Sequence, residues 1–469
     1  MPTPMDPTST GFLFAENRSQ PMHVGGLQLF RTPEGAGRGF LKDMYEEMLT
    51  HDQPAPLFLK RPTRSVSTAG QWFWTEDDQF DIEYHVRHSA LPKPGRIREL
   101  LDLCGRLHST RLALERPLWE IHVIEGLRDG RVAMYSKMHH ALIDGVSSMR
   151  LMQSVLSTEP DRRDMAPPWS VEHDRGRPRS SKEADPGSTT TGLPVGALRS
   201  ALAISSEAAG LPGALVRTLA RGVRNETSAL SLYAPRTIIN KRITGSRRFA
   251  AEDWPLERLQ AIGRATGTTL NDVVLAMCSG AMRSYLDELG ALPDASLVAM
   301  VPVGLKAKSP QSASASGGNA VGAVMVRLGT DRSDPADRLR GIHHSMVTGK
   351  EALGGMTPTQ ILAMTALGLA PAVLAPMLKL DGITRPPFNL IISNVPGPQK
   401  PLHLNGARME GMYPLSISIH GMGLNITCTS YAGNLGFGLT GCRRTVPRLQ
   451  RLLTHLDDEL AALETAAGV

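Results

Sequence analysis

A chain of 469 residues is long enough for two or three domains. With 41% apolar and 20% charged residues it can bury a substantial core, which excludes a wholly disordered, collagen-like or small disulfide-stapled protein. Its 51 Lys and Arg against 45 Asp and Glu leave a net charge of +6, which permits an anionic membrane surface or a phosphorylated cofactor as partner and demands neither. Aromatics are only 5% of the chain and no basic block is interleaved with them, so nucleic acid is not an expected partner. Cys104, Cys278, Cys428 and Cys442 stand far apart with no CxxC, which fits a reducing compartment and gives no zinc-finger pattern.

Residues 1–157 read as one mixed α/β unit. The opening residues are neither basic nor apolar, and no signal peptide follows them. Helical spacing covers Phe40–Leu49 and Ile97–Leu112. Trp119–Glu125 alternates as a strand, Asp129-Gly130 is a tight-turn signal, and Arg131–His139 reads as the returning strand of a hairpin. Residues 158–192 are rich in Pro, Ser, Arg, Asp and Gly and read as a linker. Residues 193–225 carry Arg199, Arg217, Arg221 and Arg224 among Leu, Val and Ala. They read either as a surface helix or as a basic amphipathic segment at a membrane. The division is thus 1–157, a linker and basic helical segment at 158–234, and a second α/β unit at 235–469.

In that second unit Thr269 begins a buried helix, with Asn271 or Asp272 near its cap. Strands are expected at Leu297–Val303, Ala320–Leu328, Phe388–Ser393, Leu415–Leu424 and Leu435–Leu439, and an amphipathic helix at Pro447–Leu463. Ala352–Leu378 lacks charge over a length that would suit a membrane span. Pro358, Pro371 and Pro376 interrupt it, so it reads as buried or interfacial helices.

The strongest chemical signal is His139-His140-Ala-Leu-Ile-Asp144-Gly145, between a strand and the helix-like Val146–Leu156. Imidazole can take and return a proton near neutral pH. Metal binding and a purely structural histidine pair are the competing readings; no His-Glu-x-x-His helix supports the metal. Gly436-Phe-Gly-Leu-Thr-Gly441 matches a dinucleotide fingerprint but begins inside a strand, and reads as chance or a strand bend. Cys278, in an apolar helix, reads as packing.

His-His-x-x-x-Asp-Gly resembles the active-site motif of the superfamily that includes chloramphenicol acetyltransferase and peptide-synthetase condensation domains. Further stretches resemble the bacterial wax ester synthase/diacylglycerol acyltransferase family: Phe12-Leu-Phe-Ala-Glu16, Pro21-Met-His-Val-Gly25-Gly, Pro117-Leu-Trp-Glu120, Asn271-Asp272, Val301-Pro-Val, Gly318-Asn319 and Asn389–Pro398. The resemblance implies an α/β fold of two chloramphenicol-acetyltransferase-like domains facing each other across a central tunnel. It implies acyl transfer from acyl-coenzyme A to diacylglycerol or a long-chain alcohol, making triacylglycerol or wax ester. His140 would be the base, His139 a support, Asp144 and Gly145 the makers of the turn, and Asn271 a candidate oxyanion donor. No metal or resident cofactor is implied, acyl-coenzyme A being a substrate. The expected place of work is the cytoplasmic face of a membrane or lipid droplet, without a span. A condensation-type enzyme using a carrier-protein thioester and a non-catalytic lipid-binding protein are the alternatives.

Overall fold

The structure is a computed structural model and describes residues 2–170, 234–304 and 321–469, except 38, 65–69, 355, 358–359, 362–363 and 365–384. The basic segment 193–225, Gly318-Asn319, most of the linker 158–192 and most of the apolar stretch 352–378 lie outside the described residues.

The first half contributes β1 (Thr3–Pro4), α1 (Pro7–Ala15), β2 (His23–Arg31), α2 (Phe40–Leu49), β3 (Lys60–Thr63), β4 (Phe73–Glu76), α3 (Ile82–His85), β5 (Val86–Ala90), α4 (Ile97–Ser109), β6 (Trp119–Glu125), β7 (Arg131–His139) and α5 (Gly145–Ser154). The second contributes β8 (Arg247–Pro255), α6 (Leu256–Thr266), α7 (Leu270–Glu288), β9 (Val298–Gly304), β10 (Val321–Arg327), α8 (Pro335–Gly354), β11 (Leu390–Val395), β12 (His403–Leu404), β13 (Ala407–Leu415), β14 (Leu424–Tyr431), β15 (Asn434–Cys442) and α9 (Arg451–Ala467).

Two six-stranded sheets result, in the orders β12-β13-β2-β7-β6-β5 and β10-β9-β11-β14-β15-β8. In the first, Met134 and Met138 of β7 join Trp119, Ile121 and Val123 of β6 beneath α2 and α5. Ala133 and Tyr135 point the other way, toward Leu100 and Cys104 of α4 and Phe249 of β8. Both faces are therefore covered, which is why β6 is buried along almost its whole length. The second sheet is buried against α6, α7, α8 and α9.

The sheets do not divide at the linker. β13 leaves the second half and pairs antiparallel with β2, from Arg408 opposite Arg31 to Leu415 opposite Gly25. Residues 403–415 thus complete the first sheet and supply partners for a β2 edge that would otherwise be open. The stretch Leu415–Leu424, expected as a strand, is instead the connection between sheets: Gly421 takes a positive φ of 81° and Ile419 bridges to Met422. The closing helix begins at Arg451 rather than Pro447, because Arg448 sits in the left-handed region at φ 53°. The Gly-x-Gly-x-x-Gly match lies wholly in β15, and a Cβ on Gly438 would collide with the Pro414 carbonyl of the crossing β13. That close backbone approach accounts for the glycine.

Hydrogen bonds tie the halves together at this crossing. Tyr413 donates to Asp253 Oδ1 (2.8 Å), and buried Arg247 donates to the carbonyls of Ser19 (2.8 Å) and Ser418 (3.4 Å). Burial brings the Arg247 pKa down to about 10.

Candidate active site

The site is built at the end of β7. His139 is its last residue, opposite His23 of β2, and its side chain is fully buried. The chain then turns, with Leu142 N–H donating to the His139 carbonyl (2.9 Å). His139 Nδ1 accepts from the Ala141 backbone N–H at 3.1 Å. A ring nitrogen that accepts carries no proton, so the neutral ring has its hydrogen on Nε2.

His140 occupies the turn itself and is half-buried. Its backbone N–H donates to the Met22 carbonyl (2.8 Å), and its ring stacks on Phe12 with centroids 4.1 Å apart and an 18° interplanar angle. Burial lowers its pKa below the usual histidine value. A hydrogen bond with its own backbone and the charge of Asp144 oppose the shift, and His139 adds to it. That direction favours the uncharged ring, the form in which an imidazole can accept a proton.

Asp144 caps α5. Its Oδ1 accepts from Ser147 N–H (2.9 Å) and its Oδ2 from the Ser147 hydroxyl (2.7 Å), and the residue is exposed. These are backbone and hydroxyl partners; among the described residues no arginine pairs with it. Gly145 is the first residue of α5. It has no positive φ, and a Cβ there would meet only Val24 Cγ1 at 3.9 Å. The turn does not require a glycine on conformational grounds.

Asn271 comes from the second half of the chain. It is half-buried in the first turn of α7, where Thr269 is the cap and Asp272 completes the capping box. Asp272 Oδ2 also lies 2.8 Å from His343 Nδ1 on α8. Among the described residues Asn271 is not a hydrogen-bond partner of His139, His140 or Asp144. Cys278 is buried deeper in α7, and burial pushes its thiol pKa up, as suits a packing residue.

Nothing in the local sequence of α1 marks it as part of the site. One face of this helix lies along the turn: Ser9 Oγ donates to the Ala141 carbonyl (2.7 Å), Phe12 covers His140, and Glu16 at its C-cap faces His139. Ser9, Phe12 and Glu16 are spaced i, i+3, i+7, a helical stripe overlapping the stretch that carries the family resemblance. The Glu16 side chain is fully buried. Burial raises its pKa, but contact with His139, the charge of Arg111 and the Met22 N–H outweigh this and hold the carboxyl below its usual value.

A second buried charge lies behind β7. Lys137 Nζ is 3.2 Å from Glu120 Oε2 and donates to the carbonyls of Leu107 (3.2 Å) and Thr110 (2.9 Å). Despite burial, the His122 and Lys137 contacts bring the Glu120 pKa down to about 2. This network fixes β6, β7 and the end of α4 to one another.

Residues 5–274 match the family model described as the wax ester synthase/diacylglycerol acyltransferase catalytic domain, and residues 317–464 match its C-terminal domain. A Mycobacterium tuberculosis H37Rv protein, provisionally named a diacylglycerol O-acyltransferase, is 47% identical over 99% of this chain and 100% of its own. A second from the same organism, named a probable diacylglycerol O-acyltransferase, is 45% identical over 99% of both chains. The solved wax ester synthase/diacylglycerol acyltransferase from Marinobacter aquaeolei VT8 superposes over 100% of both chains with a TM-score of 0.77 and 41% identity. The first condensation domain of the CDA synthetase shares the fold at a TM-score of 0.58 and 17% identity, over 100% of this chain and 96% of its own. Fold, motif placement and sequence likeness along the whole length agree, and the chain belongs to the wax ester synthase/diacylglycerol acyltransferase family.

Proposed function

We propose that this protein transfers a fatty acyl group from acyl-coenzyme A to diacylglycerol or a long-chain alcohol, with His140 as general base and no covalent enzyme intermediate. The observation that carries the reading is a half-buried imidazole, its pKa lowered chiefly by burial, held at a strand end by its backbone and by a stacked ring. A thioester is already an activated donor. His140 takes the hydroxyl proton as the oxygen attacks the thioester carbon and the C–O bond forms. The tetrahedral intermediate collapses, the C–S bond breaks, and His140 returns the proton to the departing thiolate. A positioned base contributes about 10²–10⁴ in rate. Asn271 is proposed as an oxyanion donor, to be tested by Asn271→Ala, which should lower kcat without lowering Tm. The tunnel between the two sheets belongs to the same proposal.

The place of work follows from the substrates. Moving a chain of about sixteen carbons into water costs on the order of 12 kcal/mol, so the enzyme must dock where its substrates are dissolved. Among the described residues no helix is long and apolar enough to cross a membrane. We assign peripheral docking on a membrane or lipid-droplet surface from the cytoplasmic side. Flotation with anionic liposomes should succeed at low salt and weaken at high salt.

The enzymatic test is incubation with palmitoyl-coenzyme A and either hexadecanol or diolein. Acceptor-dependent thiol release with formation of the ester is expected. Absence of thiol release with both acceptors would remove the reading in favour of a carrier-protein thioester or a binding protein.

A further inference from the structure

We infer that Glu16 is a positioning residue for the reaction: its buried carboxylate holds His139 in the Nε2–H tautomer and thereby fixes the turn that aims His140. The inference rests on the proposed role of His140 as base.

Three contacts meet at this carboxylate. Oε1 accepts from the Met22 N–H at 3.2 Å, and Oε2 from Arg111 at 3.1 Å. Oε1 also lies 3.7 Å from His139 Nε2, a charge contact longer than a full hydrogen bond. Among the described residues Nε2 has no hydrogen-bond partner, and the Glu16 carboxylate is the acceptor it faces. Its hydrogen therefore faces Glu16, and only this tautomer leaves Nδ1 free to accept the Ala141 N–H across the turn. The Met22 peptide carries a second path to the same place: its N–H goes to Glu16, and its carbonyl accepts from the backbone N–H of His140. Both sides of the His140 backbone are thus referred to one buried anion. With the side chains of Glu16 and His139 both closed to solvent, no water competes for the Nε2 hydrogen.

A residue acting through His139 has a signature that general loss of structure does not produce. Glu16→Gln keeps a carbonyl oxygen for Met22 but removes the charge and can turn an amide donor toward Nε2. It should lower kcat about tenfold or more, as outer partners of functional histidines do, and leave the KM for acyl-coenzyme A within about twofold. In a His139→Ala background the same substitution should change kcat by less than about twofold, because the residue through which it acts is gone. Glu16→Asp keeps the charge beside Arg111 but draws it back from His139, and should lose kcat as Gln does. It is the second variant should Glu16→Gln not fold. Wild-type kcat for Glu16→Gln or Glu16→Asp, or equal effects of Glu16→Gln with and without His139, would overturn the inference. A wild-type enzyme that releases no thiol would instead overturn the assignment of function, so the two failures are distinguishable.

Discussion

Phe12 lies flat against the imidazole of His140, with ring centroids 4.1 Å apart. The stack comes from residues 128 positions apart in sequence and gives His140 its only aromatic contact among the described residues. On the proposed mechanism a stacked ring resists the rotation that would swing the proton-accepting nitrogen away from the acceptor alcohol. A stacked aromatic pair contributes about 0.5–1.5 kcal/mol, equivalent to roughly two- to tenfold in rate if lost from the transition state. Phe12→Ala should therefore lower kcat by about that factor, as read in a thiol-release assay. Unchanged kcat would show that backbone contacts alone orient His140.

The two histidines should separate in their mutational phenotypes. His140 is half-buried and is the base of the proposed mechanism, so His140→Ala should lower turnover by roughly two orders of magnitude or more with little change in Tm. His139 is fully buried and faces the Glu16 carboxylate. His139→Ala should hurt turnover less but cost about 1–3 kcal/mol of stability, since it leaves the Ala141 N–H donor without its acceptor. Paired denaturation and kinetic measurements check both; a greater kinetic loss at His139 would reverse the assignments.

The rate should depend on pH through His140. Its folded pKa is lowered, chiefly by burial, so the ring stays neutral to lower pH than a free histidine. A base acts in its unprotonated form, so kcat/KM should fall as pH drops through the folded pKa. That places the acid limb below pH ~6.5, the ordinary histidine value. An acid limb above that value would contradict the assignment.

Asp144 should act on stability. As the cap of α5 it satisfies Ser147 N–H, and removing such a cap costs about 1 kcal/mol. Asp144→Ala should lower the unfolding free energy by that amount, and Asp144→Asn, which can still accept, should restore most of it. Loss of activity in Asp144→Ala without loss of stability would place the carboxylate in the catalytic shell instead. Gly145→Ala should leave stability within about 0.5 kcal/mol, since its backbone is ordinary and a methyl has room.

Local pattern determined much of this protein. The alternation of Trp119–Glu125, the return of Arg131–His139 after the Asp129-Gly130 turn signal and the helical spacing of Phe40–Leu49 each define an element whose bounds the structure reproduces. The His139–Gly145 motif after a strand located the turn, because a strand end, a cap and a helix are specified by neighbouring residues. Tertiary structure alone decided the rest. Alternation tells a strand which side chains to bury but not which backbone to pair with, so nothing in residues 407–415 announces that they return to β2. The ion pair between Arg31 and Glu410, 379 positions apart, belongs to that pairing. Likewise α1 reads as an ordinary capped helix until folding lays Ser9, Phe12 and Glu16 along the His139–Gly145 turn. A helix's own periodicity fixes the stripe, and only the packing of the two halves fixes what the stripe touches.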